Sequence, residues 1–282
     1  MHVTCVVDDA VQRSSPFWGE HGLAFLIDTE AGRVLFDTGQ SGTVLLHNLE
    51  LLRVDPVTID GLAISHAHYD HTGGLPALLE RVRPGTPLYA NPDLFRERFS
   101  RREGEPRSVG LSLTREELNA WLTLKLSAAP QEIVPGVWTT GEIAERPDPE
   151  GSSAYHLVRD GDTFVADPYG DDMALVLEIA DRGRSGDRLV LLCGCCHAGL
   201  LNTLAHVQRI FERPIVAVAG GLHLTSATAD DLQRVSDVLV GMESVQRVYP
   251  NHCTGEAAFV PLTLALGPSI VRPCPAGTVV EF

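Results

Sequence analysis

The sequence predicts a single α/β domain made of two similar β-then-α halves, with a polar site between them. Three observations carry that expectation. Short apolar runs rich in Val, Leu and Ile alternate with amphipathic stretches, as strands covered by helices do. The alternation pauses in an Arg-rich stretch and then restarts. Several apolar runs end abruptly in clusters of His, Asp, Cys and Gly, so that polar chemistry gathers at strand ends. No Ser/Gly-rich or Pro-rich linker interrupts the chain, and residues 1–282 read as one domain with an insertion.

In chain order, His2–Val7 reads as a strand, and Leu23–Asp28 and Arg33–Asp37 flank the hairpin turn Thr29-Glu30-Ala31-Gly32. Gly61–Ser65 is a short apolar run that leads into the most polar cluster of the chain. Leu75–Val82 reads as a helix closed by Arg83-Pro84-Gly85. Residues 85–130 differ in character and read as an insertion or lid. They hold Arg96, Arg98, Arg101, Arg102 and Arg107, followed by Thr114-x-x-Glu117, a capping box. Those arginines could meet an anionic substrate or simply form a solvated helical surface. Beyond them, Val137–Thr140, Ala154–Arg159 and Thr163–Ala166 read as strands, the last two joined by Asp160-Gly161. Strands Ala174–Ile179 and Leu189–Cys193 are joined by a polar turn. Helix Leu200–Phe211, strand Ile215–Ala219, helix Asp230–Val240 and strand Val245–Tyr249 follow.

Composition narrows the function. The chain is 44% hydrophobic and 21% charged, which suits a protein that buries a core. Its net charge of −15 argues against nucleic acid and against an anionic membrane surface, both of which need clustered Lys and Arg. No apolar run approaches the roughly 18 residues of a membrane span. The N-terminus lacks a basic segment followed by a long apolar one. Six cysteines, three of them crowded into Cys193-Gly194-Cys195-Cys196, do not resemble a disulfide framework. A cytoplasmic protein acting on a small molecule is expected, with a homo-oligomer left open. There is no Gly-x-Ser-x-Gly elbow and no phosphate-cradling Gly-x-x-x-x-Gly-Lys run. Cys193 and Cys196 have redox-pair spacing, but Cys193 lies in an apolar strand and should point into the sheet.

The strongest chemical signal is Ser65-His66-Ala67-His68-Tyr69-Asp70-His71-Thr72-Gly73-Gly74. Three histidines and an aspartate fall within six residues, directly after an apolar strand. Imidazole and carboxylate are ligands for zinc, iron and manganese. In a tight loop His66 and His68 could face one centre while Asp70 and His71 turn to a second. The glycines would let the backbone bend sharply into a helix.

This motif resembles the signature of the metallo-β-lactamase superfamily. The resemblance extends through Leu35-Phe36-Asp37-Thr38-Gly39, Gly194-Cys195-Cys196-His197-Ala198-Gly199, Gly220-Gly221-Leu222-His223-Leu224 and Asn251-His252-Cys253-Thr254-Gly255. These segments, with Gly39-Gln40-Ser41-Gly42, Asp171-Asp172-x-Ala174-Leu175 and the closing Gly277–Phe282, are similar to the dihydropterin-ribofuranosyl-aminobenzene-phosphate-synthase-like branch. Cys196 stands where that branch usually has Ser, and Leu222 where it usually has Phe. The resemblance implies an αββα sandwich of two mixed sheets flanked by helices, with the active site at the strand ends between the halves. It also implies that His66, His68 and His197 hold one metal and that Asp70, His71 and His252 hold the other. Asp37 would brace the histidine loop from outside the ligand set. The superfamily's bridging aspartate is replaced by Cys195 here. Either Cys195 ligates, or Asp172 substitutes, or no carboxylate bridges.

His223 is the candidate proton donor, with ligation or substrate binding as alternatives, and His21 is a candidate substrate contact. His2, His47, His156 and His206 carry no assigned role. The expected cofactor is one or two divalent ions, zinc first, then manganese or iron. The expected reaction is hydrolysis of a small, phosphorylated or heteroaromatic metabolite by a metal-activated hydroxide, with Asp70 orienting it. A dihydropterin-phosphate-synthase-like reaction is the first alternative. An iron-dependent redox enzyme and a metal-containing binder that turns nothing over are the others.

Overall fold

The structure, a computed structural model, describes residues 1–148, 151–180 and 188–282. Two mixed sheets stack face to face with helices on both outer sides, the αββα sandwich that the sequence led us to expect. The first sheet has seven strands, in the order Val279–Glu281, His2–Val7, Ala24–Asp28, Arg33–Phe36, Gly61–Ala63, Pro87–Ala90 and Thr123–Leu126. Pairing is antiparallel as far as Arg33–Phe36 and parallel beyond it. The second has six strands, Arg247–Asn251, Ile215–Gly221, Arg188–Cys193, Leu175–Ile179, Val137–Thr139 and Glu132–Val134. Its first three are mutually parallel and the rest antiparallel.

Strand alternation sorts the side chains into three apolar layers. Phe25, Ile27, Val34 and Phe36 of the first sheet meet Leu175, Leu177, Val190 and Leu192 of the second. Their neighbours Ala24, Leu26 and Leu35 face outward onto Leu45, Leu49, Leu75 and Leu78. On the far side Val176, Leu189 and Leu191 pack on Leu200, Leu204, Val207, Val235 and Leu262. Because both sheet faces are covered, the central strands read as continuous apolar runs rather than alternating ones.

Helices Leu200–Phe211 and Ala229–Gly241 match the expected segments closely, the second opening on a Thr228–Asp231 capping box. Helix Gly42–Leu51, capped by Ser41, and helix Glu256–Leu266, which contains Pro261, were not anticipated. Among the described residues, no helix is long and apolar enough to cross a membrane. The polar turn expected after Ile179 lies outside the described residues.

The insertion expected over residues 85–130 is not one unit. Its ends, Pro87–Ala90 and Thr123–Leu126, are parallel strands of the first sheet. The added structure is a separate four-stranded sheet, Thr163–Ala166, His156–Asp160, Arg98–Ser100 and Arg107–Ser108, drawn from both halves of the sequence. Arg98, read as meeting an anionic substrate or lying on a solvated surface, is instead buried and ion-paired with Asp93 (2.8 Å), Asp167 (3.1 Å) and Asp171 (2.6 Å). The Thr114–Glu117 capping box is present, on the short helix Arg115–Asn119.

Candidate metal centre

Four loops that follow strands bring the candidate residues together. After strand Gly61–Ala63 the chain runs through Ser65, His66, Ala67 and His68 into the helical turn Tyr69–Thr72, which carries Asp70 and His71. Gly73 and Gly74 adopt ordinary right-handed backbone, so a sharp bend is not their role. A Cβ on Gly73 would stand 2.0 Å from the Gln40 carbonyl, and one on Gly74 2.2 Å from that of Thr38. Glycine is required there by close approach of two loops.

Asp37 ends the strand before and is fully buried. Its Oδ1 accepts the Ser65 amide (2.7 Å), and its Oδ2 accepts the Ser65 hydroxyl (2.7 Å) and lies 2.7 Å from His71 Nδ1. The Ser65 oxygen lies 2.9 Å from His66 Nδ1. The network therefore assigns a proton to Nδ1 of both imidazoles and turns each Nε2 toward the rest of the cluster. A Cβ on Gly194 would collide with the Ser65 side chain at 2.2 Å, so this glycine lets the second sheet close onto the network.

From the second half come Cys195 and His197, after strand Arg188–Cys193, and His252, after strand Arg247–Asn251. Asp172 Oδ2 accepts the Ala198 amide (2.8 Å) and so fixes the His197 loop. Asp8 accepts the His252 amide (2.8 Å), and Asp9 Oδ1 lies 3.1 Å from His252 Nδ1. Asp37, Cys196, His223 and His252 all have φ between 45° and 59°. Such non-glycine left-handed backbone tends to gather at functional sites.

The result is two adjoining groups of potential ligand atoms, each group within 4.8 Å: Asp70, His71, Cys195 and His252, then His66, Cys195 and His197. Cys195 belongs to both, with Sγ 3.1 Å from His71 Nε2. Of the alternatives the sequence left open, Cys195 is the residue whose sulfur falls in both groups. His68 presents Nδ1 3.1 Å from His66 Nε2 and forms a further group with His156 and His197. Asp172 is in none of these groups, and neither is His223. His223 lies tilted against His197 (centroids 4.4 Å, 55° between planes) and lines a cavity of about 230 Å³. His21, half exposed at the mouth, places Nε2 3.4 Å from Asp70 Oδ2.

Divalent cations fit this donor set. His68 Nε2 and both ring nitrogens of His197 are buried without a hydrogen-bond partner, a costly state for imidazoles with nothing to bind. Burial and neighbouring imidazoles hold His66, His68 and His197 well below the usual histidine pKa, so their lone pairs are available. Burial would likewise lower His71, but Asp70 and Asp37 outweigh it and raise its pKa to about 9. Burial opposes ionisation of Asp70, yet His71 and His252 overcome it and keep the carboxylate well below its ordinary range. This half of the cluster is thus built around positive charge.

Sequence reasoning passed over Asp8, Asp9, His156 and Tyr169. The two aspartates had a readable signal, since they end an apolar strand as the other site residues do. His156 had none, because it sits inside a strand of the added sheet.

Residues 18–172 match the sequence profile of the metallo-beta-lactamase superfamily. The chain is 30% identical over 266 residues to a 7,8-dihydropterin-6-methyl-4-(beta-D-ribofuranosyl)-aminobenzene-5'-phosphate synthase of Methanocaldococcus jannaschii, covering 89% of this chain and 86% of that one. It superposes on Tm1679, described as a metal-dependent hydrolase of the beta-lactamase superfamily, with a TM-score of 0.82 and 29% identity, over 100% of this chain and 99% of that chain. Zn(2+)-bound PqqB from Methylobacterium extorquens shares the fold at a TM-score of 0.58 and 12% identity, over 100% of both chains.

Proposed function

The chain belongs to the metallo-β-lactamase superfamily, and from that premise we propose that it is an enzyme with a divalent-metal centre that hydrolyses a small phosphorylated metabolite. One observation carries this reading. Side chains from positions 66–71, 195–197 and 252 converge as two adjoining ligand groups that share Cys195. Cations held there, zinc first among them, would supply Lewis acidity and a hydrolytic nucleophile at neutral pH.

The protein's own residues supply orientation and charge. Asp37 and Ser65 fix the His66 and His71 rings, and Asp9 fixes His252. Asp70 Oδ2 lies 3.5 Å from His71 Nε2 and 3.3 Å from His252 Nε2, where it can accept a proton from the attacking group. His223, neutral because burial lowers its pKa to about 4, lines the small cavity beside His197 and can hydrogen-bond the departing group. A phosphate is supported by the exposed Arg107, two residues before Val109, whose carbonyl accepts the Tyr69 amide (2.9 Å). Arg98 takes no part, since three carboxylates surround it.

The 30% identity to the archaeal synthase favours a second reading, a synthase-type reaction on a phosphorylated pterin-type compound. Turnover of phosphomonoesters, phosphodiesters and lactones, with and without chelator, tests the first. Chelator-sensitive hydrolysis that His68→Ala abolishes in a folded protein is the expected result. Hydrolysis that survives both treatments would overturn it, and product formed only from the pterin-type compound would favour the second.

A further inference from the structure

Within that metal-centre reading, we propose that the added sheet carries a metal ligand of its own: His156 completes a cation position with His68 and His197 at the edge of the centre. The three residues offer ligand atoms within 4.8 Å of one another. Their ring centroids are 4.7 Å (His68–His156), 4.8 Å (His68–His197) and 5.8 Å (His156–His197) apart. His68 Nε2 and both nitrogens of His197 are buried with no hydrogen-bond partner, so this corner holds imidazole nitrogens that nothing else in the protein satisfies.

The surroundings of His156 are those of a held ligand. Its Nδ1 lies 3.0 Å from the Tyr169 hydroxyl, leaving Nε2 for a cation, and a ligating imidazole commonly engages an oxygen through its second nitrogen. Tyr169 is fixed in turn, with its ring stacked on His197 at 4.4 Å and 3° and its hydroxyl accepting the Ser153 amide (3.1 Å). The strand that bears His156 pairs with Arg98–Ser100, and Arg98 reaches through Asp171 to the Ala67 amide, between His66 and His68. The added sheet is thus tied to the centre both by this ion pair and by His156. An all-imidazole set suits zinc, copper, nickel or iron better than magnesium or calcium. His197 is shared with the Cys195 group, so one ion would occupy either the inner or the outer position. Binding at the outer one would clamp the added sheet down.

The test uses the metal-depleted full-length chain and Zn²⁺ alone. Affinity is read by competition with a chromophoric chelator, and hydrogen exchange is followed in strand His156–Asp160. Loss of a partner behind a ligand typically weakens binding by about 10–100-fold, and loss of a ligand should do at least as much. His156→Ala should therefore weaken Zn²⁺ by roughly tenfold or more and abolish the Zn²⁺-dependent protection of this strand seen in the wild type. Tyr169→Phe keeps the stacked ring, removes only the hydroxyl, and should weaken Zn²⁺ to a smaller extent. Unchanged affinity and protection in His156→Ala, with binding still lost in His68→Ala, would overturn this inference while leaving the metal centre intact. A wild-type chain that binds no Zn²⁺ would overturn both.

Discussion

At the scale of single residues, the decisive feature is how the buried imidazoles are oriented by the carboxylate and hydroxyl behind them. Asp37 reaches two of them, His71 directly and His66 through Ser65. Cys195 is the residue that sets this centre apart from one bridged by aspartate. A thiolate there would contribute a soft ligand shared by both positions. We expect the cobalt-substituted protein to show thiolate-to-cobalt charge-transfer absorption that disappears in Cys195→Ser, and an unchanged spectrum would remove Cys195 from the ligand set. His206 provides the contrast. It is buried, lies 3.0 Å from the Thr140 carbonyl and belongs to none of the ligand groups described above. His206→Ala should lower stability by about 1–3 kcal/mol in denaturant unfolding, the cost of an orphaned buried acceptor, without changing metal content.

At the scale of elements, two charged clusters differ in weight because their burial differs. Arg98 is buried against Asp167 and Asp171, so truncating it leaves carboxylates without a counter-charge. Such a loss costs about 3–5 kcal/mol when the pair is buried. Arg98→Met should therefore destabilise the chain by that order and loosen the added sheet first, as read by faster hydrogen exchange in Arg98–Ser100 and His156–Asp160. Asp60 is the exposed counterpart. The Arg33 amide and the Arg83 guanidinium (3.0 and 2.7 Å) hold its carboxyl below the usual range. A lowered folded pKa means stability present above the unfolded carboxylate pKa and lost as pH falls through the folded one. Because the pair is solvated, the contribution stays under about 1 kcal/mol. Asp60→Asn should therefore cost up to about 1 kcal/mol at neutral pH, make no difference below the folded carboxyl's pKa, and so slightly flatten the acid limb of the stability profile.

For the whole molecule, the question is whether the metal holds the fold together. Small zinc domains unfold without their ion because little else is buried. Here three apolar layers run through the sandwich, and each fully buried Leu, Ile, Val or Phe contributes roughly 1.5–3 kcal/mol before chain entropy is subtracted. The apo chain should stay folded. An ion at a hundred times its Kd adds only about 2.7 kcal/mol. Chelation should thus lower Tm by a few degrees and leave the far-ultraviolet circular dichroism intact. Wholesale unfolding on chelation would mean that the core is weaker than its burial implies.

By itself the sequence determined the layered α/β architecture, because covered strands must read as apolar runs and their helices as amphipathic ones. It also marked His66, His68, Asp70 and His71, which lie so close along the chain that any strand–loop–helix corner gathers them. What joins them from afar was decided by tertiary structure. Cys195 took its place in both ligand groups only when the sheets closed on Gly194 and brought its sulfur 3.1 Å from His71. Asp9 and His252 meet across 243 positions, and Ala67 meets Asp171 across 104. His156 sits inside an ordinary strand, and the Arg98 segment that pairs with it lies in the other half of the sequence. No local pattern records such contacts, because a side chain's partners at long separation depend on how whole sheets pack and not on its neighbours in the chain.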